Sequence, residues 1–224
     1  MAHPYLSLAG TAAPEQGETM PYPSGHRTTV RATIVESARS LFNRHGFDNV
    51  SLDQIMSGAG LTRGGFYSYF RSKSDLYSEV LGCFFTDPDW KNRWEGVEVD
   101  LASNDVGPQV VHAYLSRQHF DDVENSCPMV ALPTDVTRAG EPAKQAFETV
   151  FTAMVGVLEQ SIAGDRRSRR TKAQAIAAMC VGGMVVARAL ANRDAADCLR
   201  DGCRAVALDL GGWKKKTHRR KSPR

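Results

Sequence analysis

Arg63 is the side chain whose neighbourhood in this sequence points most directly to a chemistry. A guanidinium can donate two parallel hydrogen bonds to the O6 and N7 edge of a guanine, or it can hold a phosphate; both roles are open to Arg63. It stands in the run from Ser51 to Lys73, SLDQIMSGAGLTRGGFYSYFRSK. Thr62 before it offers a hydroxyl for capping or for contact, and capping is the stronger expectation. Gly64 and Gly65 after it have no side chain to read a base with, but they allow close approach of a helix backbone to DNA. Ser68 is placed to reach a base edge.

These groups read something only if local structure holds them, and the flanking residues carry the signals for it. Ser51 with Gln54 three residues on has the form of a capping box, and Leu52, Ile55 and Met56 make an apolar face at helical spacing. Gly58, Ala59 and Gly60 interrupt that helix, with Gly60 suited to a left-handed turn position. Leu61 turns inward, and a second short helix is expected from Arg63 to Phe70, with Phe66 and Phe70 in the core. This is helix-turn-helix grammar, in which the second helix enters the DNA major groove. The paired glycines weaken that helix by about 1 kcal/mol each. Upstream, a helix capped by Thr28 or Thr29 is expected to reach His45, with Val30, Ile34, Ala38 and Leu41 on one face, Gly46 at its end and Phe47 folding back in a Schellman-type turn. Downstream, Ser72 to Asp75 reads as another capping box, opening a helix toward Phe85. Thr29, Ser51 and Lys73 stand at helix starts, where backbone donors and the dipole favour phosphate. Arg27 and Arg31 add looser electrostatic help. Tyr69 has two expected roles, a phosphate contact or packing beneath the helix.

The 224 residues suffice for one or two domains with cores, and 42% apolar with 8% aromatic residues suits a largely helical protein. The longest uncharged stretch, Ala173 to Ala187, is short of the roughly 20 residues a membrane span needs. The N-terminus lacks the pattern of a signal peptide, so a cytoplasmic protein with no membrane partner is expected. The net charge of +3 hides a segregation: residues 214–224 carry +7, residues 26–74 carry +4, and the rest −8. Basic ends on an acidic middle suit a chain that meets phosphates at one end. The basic tail has two readings, a source of non-specific DNA affinity or a solvated tail. Five scattered cysteines show no metal-ligand or disulfide spacing. No nucleophile elbow, phosphate loop or cofactor motif is present, so no catalytic residue, no metal and no cofactor are expected.

The run TIVESARSLFNRHGFDNVSLDQIMSGAGLTRGGFYSYFRSKSDLYSEVL resembles the N-terminal domain of the TetR family of bacterial transcriptional regulators. The matching features are RHGF before the Ser51 cap, AGL followed by Thr62, then FYSYF and SKSDL. The Gly64-Gly65 pair departs from the usual pattern. The resemblance implies an all-α chain: an N-terminal three-helix helix-turn-helix DNA-binding domain and a helical C-terminal domain for ligand binding and dimerisation. It implies that Tyr67 and Lys73 contact phosphates. The partners it implies are a double-stranded DNA operator, a second copy of the chain and a small-molecule effector. The expected layout is an extension over 1–25, the DNA-binding domain over 26–74, the helical domain over 75–212 and a basic tail over 213–224.

Within the helical domain, helices are expected over about 108–120, from Pro128 with a break at Pro133, over about 141–162, and finally over about 171–191 and 195–210. The penultimate helix is apolar nearly all round, which calls for cover on more than one side. A partner subunit is the expected cover, across Ile176, Met179, Cys180, Gly183, Met184, Ala187, Leu199 and Val206. Candidates to line an effector pocket are Trp90, Trp94, His112, Tyr114, His119, Phe147, Phe151 and Met154, each also readable as core or surface. The expected function is a ligand-responsive homodimeric repressor on a pseudo-palindromic operator. The alternatives are a regulator sensing redox state through the Cys127 thiol and, beyond that, a cysteine-dependent enzyme built on Cys127 with His112 or His119. A structural cysteine is the stronger expectation for Cys127 itself.

Overall fold

A computed structural model describes residues 24–83 and 97–213. The first helix, α1 (Ser24–His45), starts ahead of the expected cap: Thr29 lies inside it and donates its Oγ–H to the Gly25 carbonyl at 3.0 Å. Gly46 takes the left-handed conformation at φ +76°, and its N–H reaches the Phe42 carbonyl at 2.8 Å. The expected Schellman ending is not completed, because the Phe47 N–H is bonded to Asp135 Oδ2 at 2.8 Å instead. α2 (Leu52–Gly58) follows, then a 3₁₀ segment (Arg63–Ser68) and α3 (Lys73–Cys83). Ile34, Ala38, Phe42, Ile55, Phe66, Leu76 and Val80 are fully buried in one core beneath these elements.

The remaining helices form the body. A continuous helix was expected across 108–120, but the chain makes α4 (Val106–Tyr114) and α5 (Arg117–Asp121). Ser116 causes the break: its Oγ accepts the His119 N–H at 3.1 Å, which starts a new helix there. Pro133 divides α6 (Pro128–Ala131) from α7 (Pro133–Arg138), since proline has no N–H to continue a helix, and Pro128 opens α6 at its first position. α8 (Glu141–Gln160) keeps the expected span. α9 (Arg166–Ala189) begins about one turn before the expected Thr171, because Asp165 caps it through the Ser168 N–H at 3.0 Å. α10 (Arg193–Gly211) is capped by Asn192 and ends at Gly212, φ +77°.

The expected division after residue 74 does not separate two cores. Leu132 of the α6–α7 turn, Val136 of α7 and Ala143 of α8 are buried with the core of α1 to α3, whereas Cys127, Met129 and Val130 are buried with the body. The bend from Asp122 to Ser126 is held from both sides. From α1, Asn43 Nδ2 donates to the carbonyls of Glu124 (3.0 Å) and Ser126 (2.9 Å), and Arg39 donates to the Glu124 carbonyl at 3.2 Å. From α9, Arg188 donates to the carbonyls of His119 and Phe120 and to Ser126 Oγ at 2.8 Å. At the far end of the body the Trp213 Nε1–H donates to the Ser161 carbonyl at 2.7 Å, and the ring covers Gly107 so closely that a Cβ there would lie 2.4 Å from it.

Candidate nucleic-acid interface

The helix-turn-helix is assembled from local bonds that its own residues dictate. Ser51 Oγ accepts the Gln54 N–H at 3.2 Å while Gln54 Oε1 accepts the Ser51 N–H at 2.8 Å, so the capping box is complete. α2 ends in a full Schellman motif. The Leu61 N–H reaches the Met56 carbonyl at 2.8 Å, the Gly60 N–H reaches the Ser57 carbonyl at 3.0 Å, and Gly60 sits at φ +71°. Gly58 permits the tight crossing of α1, since a Cβ on it would lie 2.5 Å from Ser37 Oγ.

The turn delivers the chain to the 3₁₀ segment, and here two expectations are corrected. Thr62 has the extended backbone of a cap but makes no side-chain capping bond. The recognition helix is six residues of 3₁₀ geometry and stops at Ser68, short of Phe70. Its glycine pair is the physical reason, because two adjacent glycines remove much of the bias toward a regular α-helix. Phe66 and Phe70 anchor the segment with rings 5.7 Å apart, both buried as expected. Between them Tyr67 stands 66% exposed. Thr62, Arg63, Gly64 and Ser68 are exposed, and Gly65 is half-buried with Met56 Cε 3.7 Å from where its Cβ would be. Nothing lies within 4 Å of the Cβ position of Gly64. Arg63 forms an exposed pair with Asp53 at 2.9 Å.

The candidate phosphate contacts divide. Thr29, Ser51 and Tyr67 are exposed. Tyr69 is half-buried against the core, and its carbonyl accepts from Arg31. Arg31 is committed further: it pairs with Glu79 and lies 4.2 Å from the Phe70 ring centroid. Arg27 donates to the Ser68 carbonyl at 2.7 Å. Both arginines thus hold the end of the reading segment, a role their sequence positions, about 40 residues away, do not announce. Lys73 donates to the Phe47 carbonyl and lies 4.3 Å from its ring centroid; burial pulls the ammonium pKa down, against the raising influence of Asp48 and Asp135. Donors remain on that ammonium for a phosphate.

The proposed pocket residues do not form one lining. Trp90 and Trp94 lie outside the described residues. His112 is exposed on the outer side of α4; burial of part of its ring and then the charge of Arg204 lower its pKa. Tyr114 and Met154 are core, with Phe147 and Phe151 packed against them. His119 is buried edge-on to Tyr114 at 4.9 Å, its Nδ1 bonded to the Tyr114 carbonyl at 2.6 Å and its Nε2 facing Ser126 Oγ at 3.0 Å and the Cys127 N–H at 3.3 Å. Burial depresses its pKa to about 3, so the ring is neutral, and both nitrogens serve the bend. The Cys127 thiol beside it is 1% exposed. Among the described residues no cluster of three or more metal-ligating side chains occurs, and no helix is long and apolar enough to cross a membrane.

The interface reading of Ile176, Cys180, Gly183, Met184 and Ala187 is corrected. All five are buried inside the protomer, under α10 and the body core, and have no surface left to share. Met179 and Leu199 are half-buried, and Val206 is 56% exposed.

The sequence profile described as "Bacterial regulatory proteins, tetR family" matches residues 34–80. The chain is similar to the HTH-type transcriptional regulator AcrR of Shigella flexneri, 44% identical over 50 residues, which are 22% of this chain and 23% of that one. The matched region spans about a quarter of such relatives' own length. The fold extends further. The reduced form of NemR from E. coli, 18% identical, superposes with a TM-score of 0.61 over 81% of this chain and 96% of that chain. A TetR-family transcriptional regulator from Agrobacterium tumefaciens, 17% identical, gives 0.59 over 80% and 98%. Residues 34–80 thus match the DNA-binding region of the tetR family of bacterial regulatory proteins in sequence, and the chain shares the fold of these two solved structures over about four fifths of its length.

Proposed function

We propose that this protein is a homodimeric transcriptional repressor that reads a pseudo-palindromic operator and releases it when a small molecule binds the body. The observation that carries the reading is the outward display of Arg63, Tyr67 and Ser68 on a segment fixed by the Schellman turn and by the buried Phe66 and Phe70. Arg63 reads a base edge or holds a phosphate; Thr62, Gly64, Gly65 and Ser68 complete the reading surface. Thr29, Ser51, Tyr67, Tyr69 and Lys73 hold the phosphates.

Dimerisation uses the outer face of the last two helices. Val185 and Val186 on α9, Leu190 just after it, and Cys198, Gly202 and Val206 on α10 are exposed small or apolar residues. Small residues let a second helix pair come close, and burial of the valines favours association. The effector binds in the body, among α4 to α10. Its signal reaches the reading head through the bend that both residues grip, Arg188 at the Asp122 carbonyl and Ser126 Oγ and Asn43 at the Glu124 and Ser126 carbonyls.

The test is a mobility shift with DNA upstream of its own gene. Arg63→Ala abolishes discrimination between that DNA and random duplex, while Tyr67→Phe weakens binding to both alike. Unchanged behaviour of both variants would sink the assignment. A reporter in a deletion strain distinguishes repression from activation.

A further inference from the structure

Phe47 follows the end of α1, yet its N–H forgoes the partner that its own helix offers. With Gly46 left-handed, a Schellman ending would turn the Phe47 N–H to the Phe42 carbonyl and the Gly46 N–H to the Asn43 carbonyl. Gly46 instead takes the Phe42 carbonyl at 2.8 Å, the simpler αL ending. The Phe47 N–H goes to Asp135 Oδ2 of α7, 88 residues away, at 2.8 Å. The other carboxylate oxygen, Oδ1, accepts from Arg138 at 3.0 Å, so Asp135 is oriented by its own helix. A Cβ on Gly46 would stand 3.3 Å from Oδ2, so a glycine there lets the carboxylate close on the helix end.

The other side of Phe47 belongs to Lys73. This ammonium, at the start of α3, donates to the Phe47 carbonyl and lies 4.3 Å from the centroid of its ring. The same ring has the Phe42 centroid at 5.6 Å and the Tyr77 centroid at 4.8 Å. One residue thus joins a carboxylate of α7 to a lysine of the reading head. α7 is also where the two cores meet. Val136 is buried with the core of α1 to α3, while Met129 and Val130 of α6, just before it, are buried with the body. A displacement of the body therefore reaches Asp135 directly.

We propose that Asp135 is a positioning residue of the DNA interface: through Phe47 it sets where the Lys73 ammonium stands against a phosphate. The inference rests on the phosphate contact proposed above for Lys73. An ammonium has three donors, and the Phe47 carbonyl takes one of them, so the place of that carbonyl sets where the others reach. With the Asp135 carboxylate gone, the Phe47 N–H turns to the Phe42 carbonyl and α1 closes in a Schellman ending. Carbonyl, ring and ammonium then shift together. Two discrete endings of one helix, one of which needs α7, form an element through which the body biases a DNA contact. Charge alone predicts the opposite result. A carboxylate beside a phosphate-binding lysine opposes phosphates, and its removal by itself tightens binding.

The experiment measures binding of the full chain to DNA upstream of its own gene and to a random-sequence duplex, each as a function of salt. Asp135→Ala weakens both by roughly three- to tenfold and lowers the salt slope by about 1, the loss of one phosphate contact. Asp135→Leu, close in shape but without an acceptor, repeats that result. Asp135→Asn, which keeps an acceptor for the Phe47 N–H, retains the wild-type slope. In a Lys73→Gln background, Asp135→Ala changes neither affinity nor slope further. Val136→Ala opens a cavity in the same core, leaves Phe47 its partners and keeps the slope, which separates positioning from lost stability. Unchanged or tighter binding by Asp135→Ala overturns the proposal, as does an equal loss in the Lys73→Gln background. An unmodified chain that shifts neither duplex overturns the DNA reading itself, and this inference with it.

Discussion

Gly64 has open space where a Cβ would stand, and Gly65 has Met56 within van der Waals range. In the free protein Gly64→Ala therefore costs nothing sterically and stabilises by about 0.4–1 kcal/mol through the unfolded chain. If the glycine serves close approach to DNA, the same methyl group weakens operator binding. A denaturant titration beside a mobility shift should show these two effects with opposite sign. His119 gives a second prediction at this scale. Its folded pKa of about 3 lies below the ordinary 6.5, so the unfolded chain binds the extra proton between those values. Its contribution to stability is complete above pH 6.5 and is lost as pH falls toward 3, at up to about 1.4 kcal/mol per pH unit. Unfolding measured at pH 7 and pH 5 should show a steeper loss for the wild type than for His119→Gln, whose stability at pH 7 is lower.

At the scale of elements, the bend from Asp122 to Ser126 is the member most exposed to single changes. Arg188→Met removes donors from the His119 and Phe120 carbonyls and from Ser126 Oγ together, and is expected to cost about 2–3 kcal/mol. Asn43→Ala, which breaks the grip from α1 while leaving the body's intact, should instead raise amide exchange in α1 and α2 more than in α9. The contrast between these elements explains what the sequence reveals. The Ser51–Gln54 box, the Gly46 and Gly60 turns and the Pro133 break act over a few residues, so residue type and spacing disclose them. Ser116 and Asp165 are also local caps, yet the apolar run around the first and the arginines after the second hide them. The bonds of Asn43, Arg39 and Arg188 join residues 60 or more apart, and no periodicity marks such partners. The shortening of the recognition helix lies between these cases: the glycine pair signals weakness, while the Arg27 and Arg31 bonds from α1 to the Ser68 and Tyr69 carbonyls at its end come from about 40 residues away.

For the molecule as a whole, the apolar character of α9 was legible but its partition was not. A helix covered on two sides has the same composition whether a given side meets its own chain or another, and here Met184 faces inward while Val186 faces out. The two faces predict different phenotypes. On the dimer proposed above, Val206→Lys on the outer face should give a monomer in sedimentation where the wild type sediments as a dimer, and should weaken the proposed operator binding, with little loss of protomer folding. Met184→Ala should cost about 2–5 kcal/mol of stability from a cavity in the core and leave the sedimenting species unchanged.

The sharing of Leu132, Val136 and Ala143 with the core of α1 to α3 also sets a limit on recombination. A chimaera that joins residues 24–83 to the body of another protein of this fold exchanges those three side chains, the Asp135 carboxylate that holds the Phe47 N–H and the carbonyls that Asn43 grips. The fold of the head is therefore portable only with the stretch from Asp122 to Ala143 carried along, and the DNA recognition proposed for it with that fold. The unit that natural shuffling or a designer can transplant intact is discontinuous in the chain.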